Sequence, residues 1–170
     1  MKPLVFDATP LIYLTKVGLV DVIEAIPTRK FAARSVFREV VERGKVKGLA
    51  DALALARLFE ADTVSTVDPS DTTLLHTLRR ISGLEEPDID TLAIAKEHEY
   101  TVVLDDLLAR RVARTYGIEL IGTPHILILG IQNHVLTKQD AVRAVDDMIE
   151  IGWRCGPEIY RRILQLIHES

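Results

Sequence analysis

The sequence predicts an α/β protein of three layers, with a central parallel sheet of about four to five strands between helices. Short apolar runs recur along the chain, and each gives way to a longer segment with helical periodicity. Strands that are joined through helices pair in parallel, and the helices then cover the faces of the sheet. A length of 170 residues is typical of one domain.

Five segments that combine β-branched or aromatic residues with short apolar runs are the predicted strands. In chain order they read "PLVFDA", "RKFAAR", "DTVSTV", "YTVVLD" and "IELIGT". Each is only about four to six residues long, which is the usual length of a strand in a compact domain.

The segments between the strands repeat their apolar residues at spacings of three and four, as amphipathic helices do. Before the fourth strand they are "PLIYLTKVGLVDVIEAI", "SVFREVVERG", "LADALALARLFEA", "DPSDTTLLHTLRRISG" and "EPDIDTLAIAKEH". After it come "LLARRVARTYG", "PHILILGIQN", "TKQDAVRAVDDMIEIG" and "GPEIYRRILQLIHES". We expect a break near Gly18 and a helix end at Gly44, because glycine favours both.

Residues 1–170 are predicted to form one domain, in which the helices after about residue 137 cover the sheet or form a dimer face. The lone cysteine, Cys155, cannot make an internal disulfide, which favours a reducing cytoplasm. No apolar run is long enough to span a bilayer, and the N-terminus does not resemble a secretory signal. We therefore expect a cytoplasmic protein without a membrane partner.

The charge balance limits the ways in which the chain can bind nucleic acid. With 21 basic and 25 acidic residues the net charge is −4, which argues against coating nucleic acid by charge alone. An enzyme with an acidic site beside a local basic strip remains compatible with this balance. The two candidate strips are "RGKVKG" and "LLARRVAR".

Acidic residues follow two of the predicted strands. Asp7 ends the first strand, and Asp105 and Asp106 end the fourth. Ligands of parallel α/β sheets bind beyond the carboxyl ends of the strands. We therefore expect these three acids to lie on neighbouring strands, at one edge of the sheet.

Three further acids lie on predicted helices. Glu39 stands between Val36 and Val40 on an apolar stripe, and Asp88 and Asp90 lie in the first turn of a helix. Side chains two residues apart on a helix point about 200° apart, so only one of Asp88 and Asp90 needs to face a common site. Taken singly, Asp88 could serve the helix dipole, and Asp105 or Asp106 could be a cap.

Taken together, the acids predict a metal site. Two carboxylates about 4 Å apart repel by about 4 kcal/mol at an effective dielectric constant near 20. A divalent cation offsets this repulsion, and a site that offers only oxygen ligands favours Mg²⁺ or Mn²⁺. Such a cation activates water and stabilises the oxygens of a phosphodiester during displacement.

Four segments in order, "VFDATPLIYLTKVG", "SVFREVV", "PDIDTLAIAKE" and "VVLDDLLARRVARTYGIELIGT", resemble the PIN-domain nucleases. The resemblance is to the small prokaryotic branch that includes VapC-type toxins and their PIN-like relatives, and the tail "IEIGWRCGPEIYRRIL" is also similar to that group. It covers essentially the whole chain. It implies a PIN-like three-layer α/β/α fold and metal-dependent, endonucleolytic cleavage of RNA.

The resemblance also implies which residues act. The four catalytic acids of the family fall on Asp7, Glu39, Asp90, and either Asp105 or Asp106. The metal ligands implied are Asp7, Asp88, Asp90, Asp105 and Asp106. Relatives often carry a Gly-Glu-x-Glu run where this chain has "PDID", whose aspartates have shorter side chains than glutamates.

Four residues are the candidates for binding substrate. The resemblance places Thr9 in the family's small hydroxyl position. Arg110 and Arg111 open a helix at the acidic edge, from which a guanidinium can reach a scissile phosphate. Thr123, after the last strand, completes the group.

The leading hypothesis is therefore a ribonuclease of the PIN type, with a toxin of a toxin–antitoxin pair as its biological role. RNA, a small antitoxin and a second copy of the chain are the expected partners. One alternative is a PIN fold kept as an interaction module, with weak or lost catalysis. A receiver-type phosphoacceptor is the other, because "VVLDD" resembles the acidic pair of receivers. In receivers that pair ends the first strand and a lysine follows a late strand, unlike here.

Overall fold

A computed structural model describes residues 1–170 and contains one parallel sheet of five strands. Its strands coincide with the five predicted segments: β1 (Leu4–Phe6), β2 (Lys30–Ala33), β3 (Ser65–Val67), β4 (Thr101–Val103) and β5 (Leu120–Ile121). Their spatial order is β3-β2-β1-β4-β5. The sheet and the intervening helices confirm the predicted α/β class and are consistent with the PIN-like three-layer fold.

The strand order reverses at β1, which is the central strand. Val5 pairs with Phe31 of β2 on one side and with Val102 of β4 on the other. Asp7 follows β1, and its N–H donates to the carbonyl of Val103 at the end of β4 (3.0 Å). The acids after β1 and β4 thus follow neighbouring strands, as predicted, at the switch point where α/β sheets bind ligands.

Helices follow most of the predicted segments. The first half of the chain contains α1 (Ala8–Lys16), α2 (Val20–Ala25), α3 (Arg34–Phe37), a π-helical stretch (Arg38–Arg43), α4 (Gly44–Val46) and α5 (Ala50–Glu60). The second half contains α6 (Thr72–Arg79), α7 (Glu86–His98), α8 (Leu107–Thr115), α9 (Thr123–Gln132), α10 (Lys138–Glu150) and α11 (Pro157–Glu169). None of these helices combines the length and the apolar composition that a membrane crossing requires.

Glycine ends the helices at one of the two predicted positions. The break between α1 and α2 falls at Gly18, whose φ of +77° lies in the left-handed region. The prediction of a helix end at Gly44 is wrong, because α3 runs on through the π-helical stretch and α4 to Val46. Gly48, with φ +69°, follows that end. Gly44 instead allows close packing, since a Cβ there would lie 2.6 Å from the Cβ of Ala52.

The chain divides into two compact units. The first comprises residues 1–12 and 28–122 and holds the whole sheet. Within it, one apolar cluster joins α6, α7, α8 and β4, and Leu92 at its centre is fully buried. This cluster anchors α7, whose first turn carries Asp88 and Asp90, and α8, which directly follows Asp105 and Asp106.

The second unit comprises residues 13–27 and 123–170. Its helices α9, α10 and α11 pack on one another, and α2 packs on α9. Gly130 of α9 makes room for Val22, because a Cβ at Gly130 would lie 2.8 Å from a Val22 methyl group. The assignment of residues 1–170 to one domain, with the last helices as a cover or a dimer face, stays a prediction.

Replacing Gly44 by alanine should destabilise the protein by about 1–2 kcal/mol. Overpacking of this kind costs about 1–3 kcal/mol, which exceeds the gain in helix propensity of about 0.5–1 kcal/mol. Chemical denaturation of the variant measures the free energy of unfolding.

The control is Gly156→Ala, since a Cβ at Gly156 meets no atom within 4 Å, and any loss there reports only the preference for glycine over alanine at the N-cap of α11. Adding Ala52→Gly to the Gly44→Ala variant should recover part of the loss. A Gly44→Ala protein as stable as the wild type would show that α4 and α5 are not closely packed.

Candidate active site

A cleft of about 210 Å³ lies where β1 and β4 end. Nine residues line it: Asp7, Ala8, Thr9, Glu39, Gly83, Glu85, Pro87, Asp88 and Asp106. Five of these nine are carboxylates, and none is a cation. The fold therefore concentrates negative charge at the switch point of the sheet.

Asp7 is the most buried of these acids, with 5% of its surface exposed. Its position directly after the central strand places the carboxyl group at the base of the cleft. Burial raises its pKa to about 7 from the ordinary value of 3.8, and repulsion from Asp88, Glu39 and Asp105 adds to the effect. The N–H of Ala8 partly counters this shift. Without a counter-ion, the carboxyl group of Asp7 is poorly stabilised in its ionised form.

Glu39 reaches the cleft from the π-helical stretch, a type of helical turn that is frequent at functional sites. Its pKa is raised first by burial and then by repulsion from Glu85. Arg43 and Lys47 act in the opposite direction and lower the pKa. Exposed cations on the same helical segment are thus close enough to affect the cleft.

Asp88 enters the cleft from the first turn of α7, which begins with a reciprocal cap. The Glu85 carboxylate accepts the N–H of Asp88, and Asp88 Oδ2 accepts the N–H of Glu85 (2.9 Å). Burial is the main cause that raises the pKa of Asp88, and repulsion from Asp106 and Glu85 contributes. Asp88 therefore caps its helix and also lines the cleft.

The acid pair after β4 takes two different positions. Asp106 lines the cleft and caps α8, where its Oδ1 accepts the N–H of Ala109 (2.9 Å). Asp105 is half-buried outside the lining, and its charge contributes to the raised pKa of Asp7. Adjacent residues leave a strand in different directions, so only one of the two acids needs to face the cleft. Spacing along the chain could not indicate which one.

Asp90 points to a different partner. Its Oδ2 accepts a hydrogen bond of 2.6 Å from the hydroxyl of Ser35 on α3, and Asp90 does not line the cleft. Burial raises the pKa of Asp90, whereas the bond from Ser35 lowers it. Of the two acids in the first turn of α7, the structure turns Asp88 towards the cleft and Asp90 towards α3.

The predicted substrate-binding arginines lie on α8. Arg110 is half-buried, and its Nη1 donates to the carbonyl oxygens of Leu104 (2.8 Å) and Ile121 (3.2 Å). Burial lowers its pKa, while the charge of Asp105 raises it. Arg110 therefore joins the ends of β4 and β5. Arg111 is exposed to solvent.

The two predicted hydroxyl residues differ in accessibility. Thr9 lies in the first turn of α1 and lines the cleft. Thr123 is the first residue of α9 and is completely buried. A substrate that enters the cleft as it stands meets Thr9.

Glu85 and Ser35 were not predicted as site residues from the sequence. Glu85 stands three residues before Asp88, which is the spacing of a helix cap, and this pattern could have indicated it. Ser35 precedes Glu39 by four residues, so both lie on one side of the helical segment. The carboxylate that accepts its hydroxyl belongs to Asp90, 55 residues away, and spacing along the chain could not indicate that pairing.

The donor set can be compared with the needs of a divalent cation. The cleft offers carboxylate and hydroxyl oxygens but no histidine or cysteine, and its acids raise one another's pKa. This chemistry fits Mg²⁺ or Mn²⁺. In the present arrangement no three side chains of histidine, cysteine, aspartate or glutamate converge as metal ligands. The oxygen ligands thus have the right chemistry for these cations, and binding requires the carboxylates to move closer together.

We expect Asp7→Asn to stabilise the metal-free protein in a pH-dependent manner. The pKa of Asp7 is about 7 in the folded protein, compared with an ordinary value of 3.8. Ionisation of Asp7 therefore destabilises the folded state. The effect is absent below about pH 4, grows up to about pH 7 and is constant above, with an upper limit of about 4 kcal/mol. Denaturant unfolding with a chelator, from pH 4 to pH 8, measures it. A difference between variant and wild type that does not change with pH would contradict the raised pKa.

Comparison with known proteins identifies the family. A family model described as a PIN domain matches residues 3–169. No curated protein is significantly similar to the chain. The match includes the ends of β1 and β4 and the starts of α7 and α8, which contribute acids to the cleft. Because it spans nearly the whole sequence, the chain belongs to the PIN-domain family.

Proposed function

We propose that this protein is a metal-dependent endoribonuclease that hydrolyses RNA phosphodiesters in the acidic cleft. PIN domains are generally nucleases, so membership of the family supports a hydrolase. The observation that carries the proposal is Asp7, an acid at the switch point whose pKa is raised first by burial and further by three other carboxylates. A protein gains nothing in stability from such an arrangement, whereas a cation-dependent enzyme uses it.

The lining acids Asp7, Asp88 and Asp106 would hold Mg²⁺ or Mn²⁺, and Asp105 is a further predicted ligand. When bound, the cation supplies Lewis-acid activation of water and offsets the charge that develops on the phosphate. Asp7, Glu39 and Asp105 remain the proposed catalytic acids, whereas Asp90, predicted as a fourth, is bonded to Ser35 outside the cleft lining.

Glu39 is suited to accept a proton, because burial raises its pKa towards neutral pH. Thr9 can donate its hydroxyl to a phosphate oxygen at the mouth of the cleft. Among the other proposed substrate contacts, Arg111 presents an exposed guanidinium on α8. Arg110 and Thr123 are the remaining predicted contacts, and each would have to move to reach a substrate, because Arg110 bonds to two carbonyl oxygens and Thr123 is completely buried.

Local cations support a nucleic-acid substrate despite the net charge of −4. Arg43, Lys45 and Lys47 are exposed on the segment that carries Glu39. Arg43 and Lys47 lower the pKa of Glu39, so their charges act at the cleft. A phosphate backbone can pair with these side chains while its scissile bond lies at the acids.

The proposal extends to a biological role as the toxin of a toxin–antitoxin pair in the cytoplasm. A small antitoxin and a second copy of the chain are the proposed protein partners. Ile159 of α11 and Ile151, which follows α10, are exposed apolar side chains of the C-terminal segment, and they are the candidates for contacts at the proposed dimer face.

Asp7→Asn should reduce cleavage of a mixed RNA pool in Mn²⁺ by at least about a hundredfold. Even groups that only orient ligands typically contribute 10–100-fold, so loss of a central acid should cost no less. The assay follows product formation on denaturing gels, with a chelator as the metal-free reference.

Asp21→Asn is the matched control, because it removes one charge from an exposed position on α2. It should cleave at the wild-type rate. If the wild-type protein leaves every RNA intact in Mn²⁺ and Mg²⁺, the chain is better explained as an interaction module. If Asp7→Asn cleaves like the wild type, the site is elsewhere.

Mn²⁺ should stabilise the wild-type protein, because a cation relieves the repulsion in the cleft. At a hundredfold excess over its dissociation constant the stabilisation is about 2.7 kcal/mol. Asp7→Asn should lose most of this gain, and Asp21→Asn should keep it. Thermal unfolding of the three proteins, with and without Mn²⁺, measures the effect. Equal shifts in all three would place the cation outside the cleft.

A further inference from the structure

Two of the acids in the cleft are carried by helices that pack against each other. Glu39 lies on the segment that continues α3, and Asp88 lies in the first turn of α7. The contact between α3 and α7 therefore determines how far apart these two carboxylates stand.

One side-chain hydrogen bond connects the two helices next to these acids. Ser35 Oγ donates to Asp90 Oδ2 over 2.6 Å, and Ser35 has only 8% of its surface exposed. Ser35 precedes Glu39 by four residues, which is about one helical turn. Asp90 follows Asp88 by two residues, on the opposite side of α7.

We propose that the hydrogen bond between Ser35 and Asp90 acts as a clasp that positions Glu39 and Asp88 for cation binding. In this arrangement Asp90 is a positioning residue, and Asp88 is the acid of α7 that faces the cation. This inference rests on the proposed function, because it names the roles of residues within the same site. Asp90 has one oxygen committed to Ser35 and does not line the cleft.

The clasp has a chemical requirement that differs from that of a ligand. A ligand of Mn²⁺ at this site needs its negative charge. The clasp needs only an oxygen that accepts the Ser35 hydroxyl, which the amide oxygen of asparagine also provides. The charge and the hydrogen bond can therefore be removed separately.

The first experiment compares Asp90→Asn with Asp88→Asn by calorimetric titration with Mn²⁺. Both substitutions remove one charge from the first turn of α7. Asp90→Asn should keep the dissociation constant of the wild type within about threefold, because the clasp survives. Asp88→Asn should weaken it by at least about a hundredfold, for the reason given for Asp7.

The second experiment breaks the clasp from either side. Ser35→Ala and Asp90→Ala should each weaken Mn²⁺ binding about tenfold, the effect expected of a group that orients ligands. The double variant should be no weaker than either single variant, because both remove the same bond. Denaturant unfolding in a chelator separates this effect from a general loss of stability.

Several results would overturn the inference. If Asp90→Asn loses Mn²⁺ as Asp88→Asn does, Asp90 is a ligand. If Ser35→Ala binds Mn²⁺ like the wild type, the clasp does not position the site. Failure of the proposed function is recognised differently, since the wild-type protein itself would then not bind Mn²⁺, and the inference would fall with it.

Discussion

Burial of the Asp7 carboxyl group among other acids is the constraint on which the rest of this structure depends. The group follows the central strand of a parallel sheet. The residues of that strand are all buried, and Asp7 itself is only 5% exposed. Its pKa of about 7 shows that the fold makes its ionisation unfavourable. Three neighbouring acids increase that cost, and a cation would reverse it. Stability and the proposed cation site thus make opposite demands on one carboxyl group.

The architecture moderates this conflict through the helix ends. Asp88 and Asp106 each accept hydrogen bonds from main-chain N–H groups at the starts of α7 and α8. The positive end of each helix dipole also faces the cleft, which favours negative charge there. The same residues therefore cap helices and supply acids, so the two interpretations of an acid in a first turn do not exclude each other.

The strand ends and the individual side chains were predictable to different degrees. Asp7 was predictable because an acid between Phe6 and an apolar helix has few structural explanations. The choice between Asp88 and Asp90 was not, since a helical wheel shows that they diverge but not which one faces the cleft. In the structure Asp90 accepts the hydrogen bond from Ser35, and Asp88 lines the cleft. The role of Gly44 was missed for a similar reason, because its close neighbour Ala52 lies beyond the turn at Gly48.

By itself the sequence determined the α/β class, the five strands and the set of acids, because hydrophobic periodicity and position after a strand are local properties. The resemblance of its ordered motifs to PIN-domain nucleases is likewise written along the chain. Only the tertiary structure decided which acids meet. It placed Asp7, Glu39, Asp88 and Asp106 on one cleft, and it joined Asp90 to Ser35 and Arg110 to the carbonyls of Leu104 and Ile121. The physical reason is that side-chain direction depends on how helices pack across the sheet, and that packing joins residues far apart in the chain.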